Sequence, residues 1–327
     1  MVLRGKTGVL RFWPVLLLVL LVAGALTLRA WYGAGPVQKP ITVQVEDGSS
    51  LAGAARALEK AGAIRSARAF LRDAKLFGSK EPIHAGEYEI KPGMSASEIL
   101  ALLQSGKTKL RLVTIPEGMP SILVREKLMN EPLLTGDIPV PEEGSILPDS
   151  YSFERGEARS AVVRRMQAAM GKELALLWAG RKPTTAVTTP QQAIILASIV
   201  EKETGVPAER PTVAAVYSNR LRAHMPLQAD PTVIYPVTRG KPLGRRILRS
   251  ELQADNGYNT YARAGLPVGP IANPGRASIE AVLDPDQSRA IYFVADGKGG
   301  HVFANTLAEH NANVQRWYAM RRARGEM

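Results

Sequence analysis

An unbroken apolar run from Phe12 to Leu28, closed by Arg29 and followed by Trp31 and Tyr32, dominates the hydrophobic pattern of the chain. Its length is at the short end of what crosses a bilayer, so it predicts a transmembrane anchor over 12–29. Arg4, Lys6 and Arg11 ahead of it predict a cytoplasmic tail, 1–11, with the rest of the chain outside and the two aromatics at the far interface. A cleaved signal peptide is the competing reading. The run is long for a signal-peptide core, and Arg29 intrudes where a cleavage site is expected, which favours the anchor.

Glycines and prolines from Gly33 to Pro40 predict a linker over 30–40. Between Ile41 and Met129 one pattern then occurs three times: a short alternating strand, a turn glycine, and an amphipathic helix opening near a serine. The copies are Ile41–Glu46 with Gly48 and Ser50, Gly86–Lys91 with Gly93 and Ser95, and Leu110–Ile115 with Gly118 and Ser121. Ser95 and Glu98 form a capping box, and an extra helix over Ser66–Leu76 separates the first two copies. These elements predict a small βααβα module ending near 108 and a larger mixed α/β domain over 109–327, an α+β chain overall. Residues 130–148, rich in Pro, Glu and Gly, read as a surface loop.

The best-signalled helix is 189–205, with Thr189 as N-cap, Pro190 at the first position, Gln192 completing a capping box, and Gly205 and Pro207 as the stop. It is almost wholly apolar until Glu201 and Glu203. Counting back from Glu203 meets Val200, Ile199 and Leu196, whereas Glu201 continues the face of Ala197, Ser198 and Ile194. Desolvation and the negative helix terminus should both raise the pKa of Glu203 into the range of a general acid. A solvated or salt-bridged carboxylate is the plainer alternative for this segment alone. A second helix follows at Pro211–His224, then a basic stretch from Arg239 to Arg249 and a long loop over 256–275. The chain closes with strands Ile291–Ala295 and His301–Ala304 around a glycine-rich turn, and a helix capped by Thr306 and Glu309.

Composition narrows the chemistry. With 42 Lys+Arg against 30 Asp+Glu, the net charge of +12 suits an anionic partner such as a membrane surface, nucleic acid or an acidic wall polymer, or simply a cationic soluble surface. Nucleic acid is set aside, because only 6% of residues are aromatic, no recognition motif occurs, and the bulk of the chain is expected outside the cytoplasm. There is no cysteine, and His84, His224, His301 and His310 lack metal-ligand spacing and read as structural or exposed, so neither a metal nor a cofactor is expected. What remains is acid/base work by a carboxylate. Asn256, Tyr258, Asn259, Thr260, Tyr261 and Asn273, with Gln228 and Asp230 before them, offer amides, hydroxyls and ring faces of the kind that suit sugars.

Several segments carry a family resemblance. Ala197-Ser198-Ile199-Val200-Glu201-Lys202-Glu203-Thr204, Asn219-Arg220-Leu221, Met225 through Tyr235, Tyr258-Asn259-Thr260-Tyr261, Gly265-Leu266-Pro267, Pro270 through Gly275 and Tyr292 through Gly297 occur in one order. Together with Leu147-Pro148-Asp149-Ser150-Tyr151, they resemble the endolytic murein transglycosylases of the MltG (YceG-like) type. The match runs over roughly 145–315, and the anchor plus a LysM-like module resembles the usual layout. The family's essential Glu, the one followed by Thr or Ser, falls on Glu203.

The resemblance implies a single-pass inner-membrane lytic transglycosylase with its C-terminal domains in the periplasm. It would cut nascent peptidoglycan between MurNAc and GlcNAc, leave 1,6-anhydro-MurNAc ends and act as a terminase of glycan elongation, with peptidoglycan synthases as candidate partners. Ser198, Gln228, Asp230, Asn259 and Tyr261 are the substrate contacts expected from their positions. A hydrolytic muramidase, needing Glu201 or Asp230 as a second carboxylate, and a non-catalytic wall-binding scaffold stay open as alternatives. Val268, where many relatives have Pro, and the cationic stretch at 239–249 depart from the family pattern.

Overall fold

The computed structural model describes residues 13–326, so Arg4, Lys6, Arg11 and Phe12, with the expected cytoplasmic tail, lie outside the described residues. The chain divides into two compact units between Arg111 and Leu112.

The first unit begins with helix α1 (Trp13–Tyr32), apolar and exposed along almost its whole length, and long enough by length and composition to cross a membrane. Strand β1 (Ile41–Val45), helices α2 (Leu51–Lys60) and α3 (Ala67–Phe77), strand β2 (Gly86–Ile90) and helix α4 (Ala96–Ser105) follow. β1 and β2 pair antiparallel from Ile41 opposite Ile90 to Val45 opposite Gly86. Their inward residues Val43, Val45, Tyr88 and Ile90 are buried against Leu58, Phe70, Ile99 and Leu103 from the helices. Each helix starts where the sequence marks it. The side chains of Ser50, Ser66 and Ser95 accept the backbone N–H three residues on, and Glu98 returns a bond to Ser95 N at 2.8 Å.

Residues 30–40 differ from the expected linker. α1 continues to Tyr32, Trp31 is 1% exposed with its ring 5.8 Å from that of Phe70, and Val37 is buried in the same core. Gly35 N donates to Gly93 O and Gly93 N to Val37 O, which fastens the segment to the turn before α4. A buried aromatic at a helix end makes the joint stiff, which glycine and proline counts alone do not reveal.

The second unit holds β3 (Arg111–Thr114), α5 (Ser121–Met129), β4 (Ser150–Phe153), α6 (Arg159–Ala179), α7 (Pro190–Glu203), α8 (Arg210–Arg222), α9 (Asp230–Thr238), α10 (Arg249–Gln253), α11 (Arg276–Leu283), β5 (Tyr292–Ala295), β6 (His301–Ala304) and α12 (Leu307–Ala323). The described strands form three two-stranded sheets, β1 with β2, β3 with β4 and β5 with β6, so the second unit is organised by its helices. Residues 130–148 are irregular but not superficial, because Leu134, Ile138 and Ile146 are buried in the core beneath β3, β4 and α6. α7 lies at the centre of the other core, packed by α6, α8, α9 and α11, and Ala193 to Val200 are buried without interruption. Where Gly144 passes this helix, a Cβ would stand 2.6 Å from Ile194 Cγ2 and 2.7 Å from Pro270 Cγ, and its φ of +77° already favours glycine.

Candidate active site

α7 delivers its two glutamates by different routes. Thr189 caps the start by accepting Gln192 N at 3.2 Å, but Gln192 Oε1 reaches one residue further back than expected, to Thr188 N and Oγ1. Glu203 is the last helical residue because Thr204 turns extended, with φ −129° and ψ 132°. Thr204 is buried, and its hydroxyl donates to Glu209 Oε2 at 3.1 Å and accepts Val206 N at 3.0 Å. Glu209 in turn takes the backbone N–H of His301 at 2.7 Å and its Nδ1 at 2.8 Å. Burial works against ionised Glu209, yet the bonds from His301 and Thr204 outweigh it and hold its carboxyl below the usual range. This network ties the end of α7 to β6 and fixes where Glu203 points.

Because α7 is buried on all sides, counting residues around it does not separate the two carboxylates; their partners do. Glu201 Oε2 accepts Gly275 N at 2.9 Å at the start of α11, and Glu201 Oε1 lies 3.6 Å from Arg210 Nη2. It is a fastening between helices. Glu203 Oε2, by contrast, is buried with no hydrogen-bond partner. Its pKa is raised to about 7: burial is the main cause and the Asp230 charge adds to it, while the Tyr217 hydroxyl, the nearby His301 and the Arg220 guanidinium pull the other way.

The sign of the stability effect follows. In the unfolded chain Glu203 titrates near 4.5, whereas in the fold it holds its proton to about 7. Between those values the folded state binds more protons, so rising pH removes stability and the loss is complete above 7. Glu203→Gln is therefore expected to be more stable than the wild type by about 3 kcal/mol at pH 8, with the difference shrinking toward pH 4.5, as read from urea unfolding at several pH values. A difference that does not vary with pH would contradict the raised pKa.

Glu203 opens into a polar cavity of about 270 Å³, lined also by Tyr217, Arg220, Leu227, Gln228, Asp230, Tyr261, Phe293 and His310. Three of the five expected substrate contacts, Gln228, Asp230 and Tyr261, meet Glu203 here. The segment before α9 is zipped to the 258–264 segment through Gln228 N to Thr260 O, Ala229 N to Thr260 Oγ1, the Thr232–Thr260 hydroxyl pair and a bridge between Pro226 and Ala264. That pairing brings Tyr261 to Asp230, whose Oδ1 accepts the phenol O–H at 2.6 Å. Gln228 sits with φ +51°, a strained backbone for a non-glycine residue, at the rim of the cavity. Burial, and then the bond to Asp230, keeps the Tyr261 hydroxyl protonated well above its ordinary range.

The other expected contacts belong to the scaffold. Ser198 is fully buried, donating to Ile195 O at 2.7 Å and accepting Ile271 N at 3.1 Å. Asn259 is buried, with Oδ1 accepting Tyr261 N and Nδ2 holding the carbonyls of Leu252 and Ala254. Asn273 and Thr260 are interior, Asn256 closes its own turn by accepting Tyr258 N and Asn259 N, and Tyr258 packs on Tyr235. Small polar residues in a loop mark sugar contacts and loop-internal hydrogen bonds alike, so composition cannot sort them.

Two of the histidines, expected to be structural or exposed, stand at or near the site. His301 orients Glu209, and His310 lines the cavity with its ring stacked 5.1 Å from Tyr292, over which Arg220 also lies. Tyr217 and Arg220 stand one turn apart on α8; the sequence marks Arg220 only within the Asn219-Arg220-Leu221 segment of the family resemblance and does not mark Tyr217, and Arg220 is held by the carbonyls of Ile291 and Leu227.

Comparison with known proteins places the chain. The YceG-like family model matches residues 43–316. Over 318 residues the chain is 29% identical to the endolytic murein transglycosylase of Bacillus subtilis (strain 168), covering 86% of this chain and 87% of that protein. It is also 29% identical over 326 residues to the endolytic murein transglycosylase of Streptococcus pneumoniae (strain ATCC BAA-255 / R6), covering 85% of this chain but 58% of the pneumococcal one, which is the longer protein. Among solved structures, a crystal structure of a putative YceG-like protein from Listeria monocytogenes aligns with a TM-score of 0.52 at 29% identity, over 84% of this chain and 99% of that one.

Proposed function

Because the chain belongs to the YceG-like family, we propose that it is an endolytic murein transglycosylase, a lyase that cuts within the glycan strands of peptidoglycan. The observation that carries the mechanism is Glu203, a buried carboxyl whose pKa of about 7 leaves a large fraction protonated at neutral pH in a polar cavity. Glu203 donates its proton to the oxygen joining MurNAc C1 to GlcNAc C4, the C1–O bond breaks, and the GlcNAc 4-hydroxyl leaves with that proton. The muramoyl 6-hydroxyl closes on C1 to form the 1,6-anhydro ring and returns its proton to the Glu203 carboxylate. One residue thus serves both steps and ends as the acid that began the cycle.

Tyr261 and Asp230 act as a hydrogen-bonded pair beside the reacting sugar, and Gln228 offers an amide at the rim. The presence of Asp230 in the cavity also supports a second reading, hydrolysis, in which Asp230 holds a water against C1. Mass spectrometry of the new ends from purified glycan strands separates the two. Anhydro-MurNAc ends are expected; reducing MurNAc ends would replace the transglycosylase by the muramidase.

The remaining assignments follow from this reading. α1 serves as a single-pass anchor in the inner membrane, the 41–108 unit as a LysM-like module on the periplasmic side, and 109–327 as the catalytic domain, acting as a terminase on strands that neighbouring synthases extend.

A further inference from the structure

The stiff joint between α1 and the first unit has a consequence at the membrane surface. A twenty-residue helix is about 30 Å long, the thickness of a bilayer's hydrocarbon core. Since Trp31, on the last turn, is already inside the core of the folded unit, that unit cannot stand away from the membrane on a slack tether. With α1 read as a membrane span, its near surface would lie in the head-group layer.

At that level a cavity of about 230 Å³ opens beside the end of α1, with Arg29, Arg65, Ser66 and Asp73 among its polar lining and Phe70 and Met94 among its apolar lining. Both arginines are exposed, and neither forms an ion pair among the described residues. The acid in the cavity, Asp73, is held by Arg72 at 2.7 Å, so its charge is already met. Arg29 lies three residues inside the helix end, where an uncompensated guanidinium is costly unless it reaches a phosphate or water. Two unpaired guanidinium groups over an apolar floor that includes Ala30 of α1, Ile64, Phe70 and Met94 match a phosphate ester with acyl chains attached.

We propose that this cavity binds the phosphate of an anionic phospholipid in the leaflet next to the folded part of the chain. The bound lipid neutralises Arg29 and Arg65 and seats the first unit at a fixed height. The proposal rests on the reading of α1 as a membrane span.

The test titrates phosphatidylglycerol into the full-length protein in phosphatidylcholine-containing detergent micelles, with native mass spectrometry as the readout. Arg29→Gln with Arg65→Gln is expected to weaken retention of phosphatidylglycerol about tenfold. Arg56→Gln with Lys60→Gln, which removes the same charge from exposed positions on α2, should leave it unchanged. Equal loss in the two pairs, no loss in the first, or displacement of the lipid by inorganic phosphate would overturn the proposal. Alkaline carbonate extraction of the same proteins reports on α1 separately. Release of the wild type from membranes would remove both readings, whereas retention of every protein leaves the lipid result to stand alone.

Discussion

Glu203→Gln is expected to lower the rate of glycan cleavage about a thousandfold or more, from the middle to the upper part of the range for losing one positioned acid/base group, because the same carboxyl serves bond breaking and ring closure. The substitution keeps the shape of the side chain and removes a charge that the fold disfavours, so folding and glycan affinity should persist. The measurement is turnover of purified strands alongside a binding isotherm for the same strands. A scaffold would behave differently, since Glu203→Gln would then leave cellular function intact. Cleavage within about tenfold of the wild type would remove Glu203 from the chemistry. The parallel change Glu201→Gln should fail for another reason, by loosening the bond to Gly275 N and the contact with Arg210, and its loss should appear in stability as well as in turnover.

Asn273→Ala should cost about 3 kcal/mol or more of stability. Asn273 is fully buried, and its Oδ1 accepts Ile146 N while Nδ2 donates to Met119 O and Ser121 Oγ. Glu143, whose pKa burial raises against the bonds from Ser121 and Tyr235, stands beside the same amide. Alanine would leave the Ile146 N–H without its partner and take a donor from Met119 O, Ser121 Oγ and the buried Glu143 carboxyl, at a point where α5, the 142–146 segment and the 270–275 segment meet. Asn273→Asp is no rescue, because it sets a second carboxylate beside Glu143. The check is the urea midpoint at constant slope; a shift worth less than about 1 kcal/mol would show that water or repacking satisfies these groups.

How much of this the chain discloses depends on how local the cause is. Caps are set by residues three apart, so the starts of α4, α7 and α12 and the β5–β6 turn can be read directly from Ser95, Thr189, Thr306 and Gly297 to Gly300. α9 was not among the expected helices, because it carries Pro231 in its first turn and Pro236 in its interior and so looks like a turn. It is held by side-chain bonds from Thr260, about thirty residues downstream. The same distance problem hides the site. Glu203 is legible as a carboxylate at an apolar helix end, but its separation from Glu201 depends on Gly275, Arg210, Asp230 and Tyr217. Ser198 and Asn259 are expected at the substrate from their positions in the family-like segments, and only their hydrogen-bond partners return them to the scaffold.

The central claim is that Glu203 carries a proton near neutrality and gives it to the leaving oxygen. The dependence of kcat/KM on pH tests it most directly, since that ratio reports ionisations of the free enzyme. With purified glycan strands, kcat/KM should hold steady at mildly acidic pH and fall tenfold per unit above an apparent pKa of about 7. A descending limb near 4.5, or a rate that stays flat to pH 9, would contradict a desolvated Glu203 as the acid.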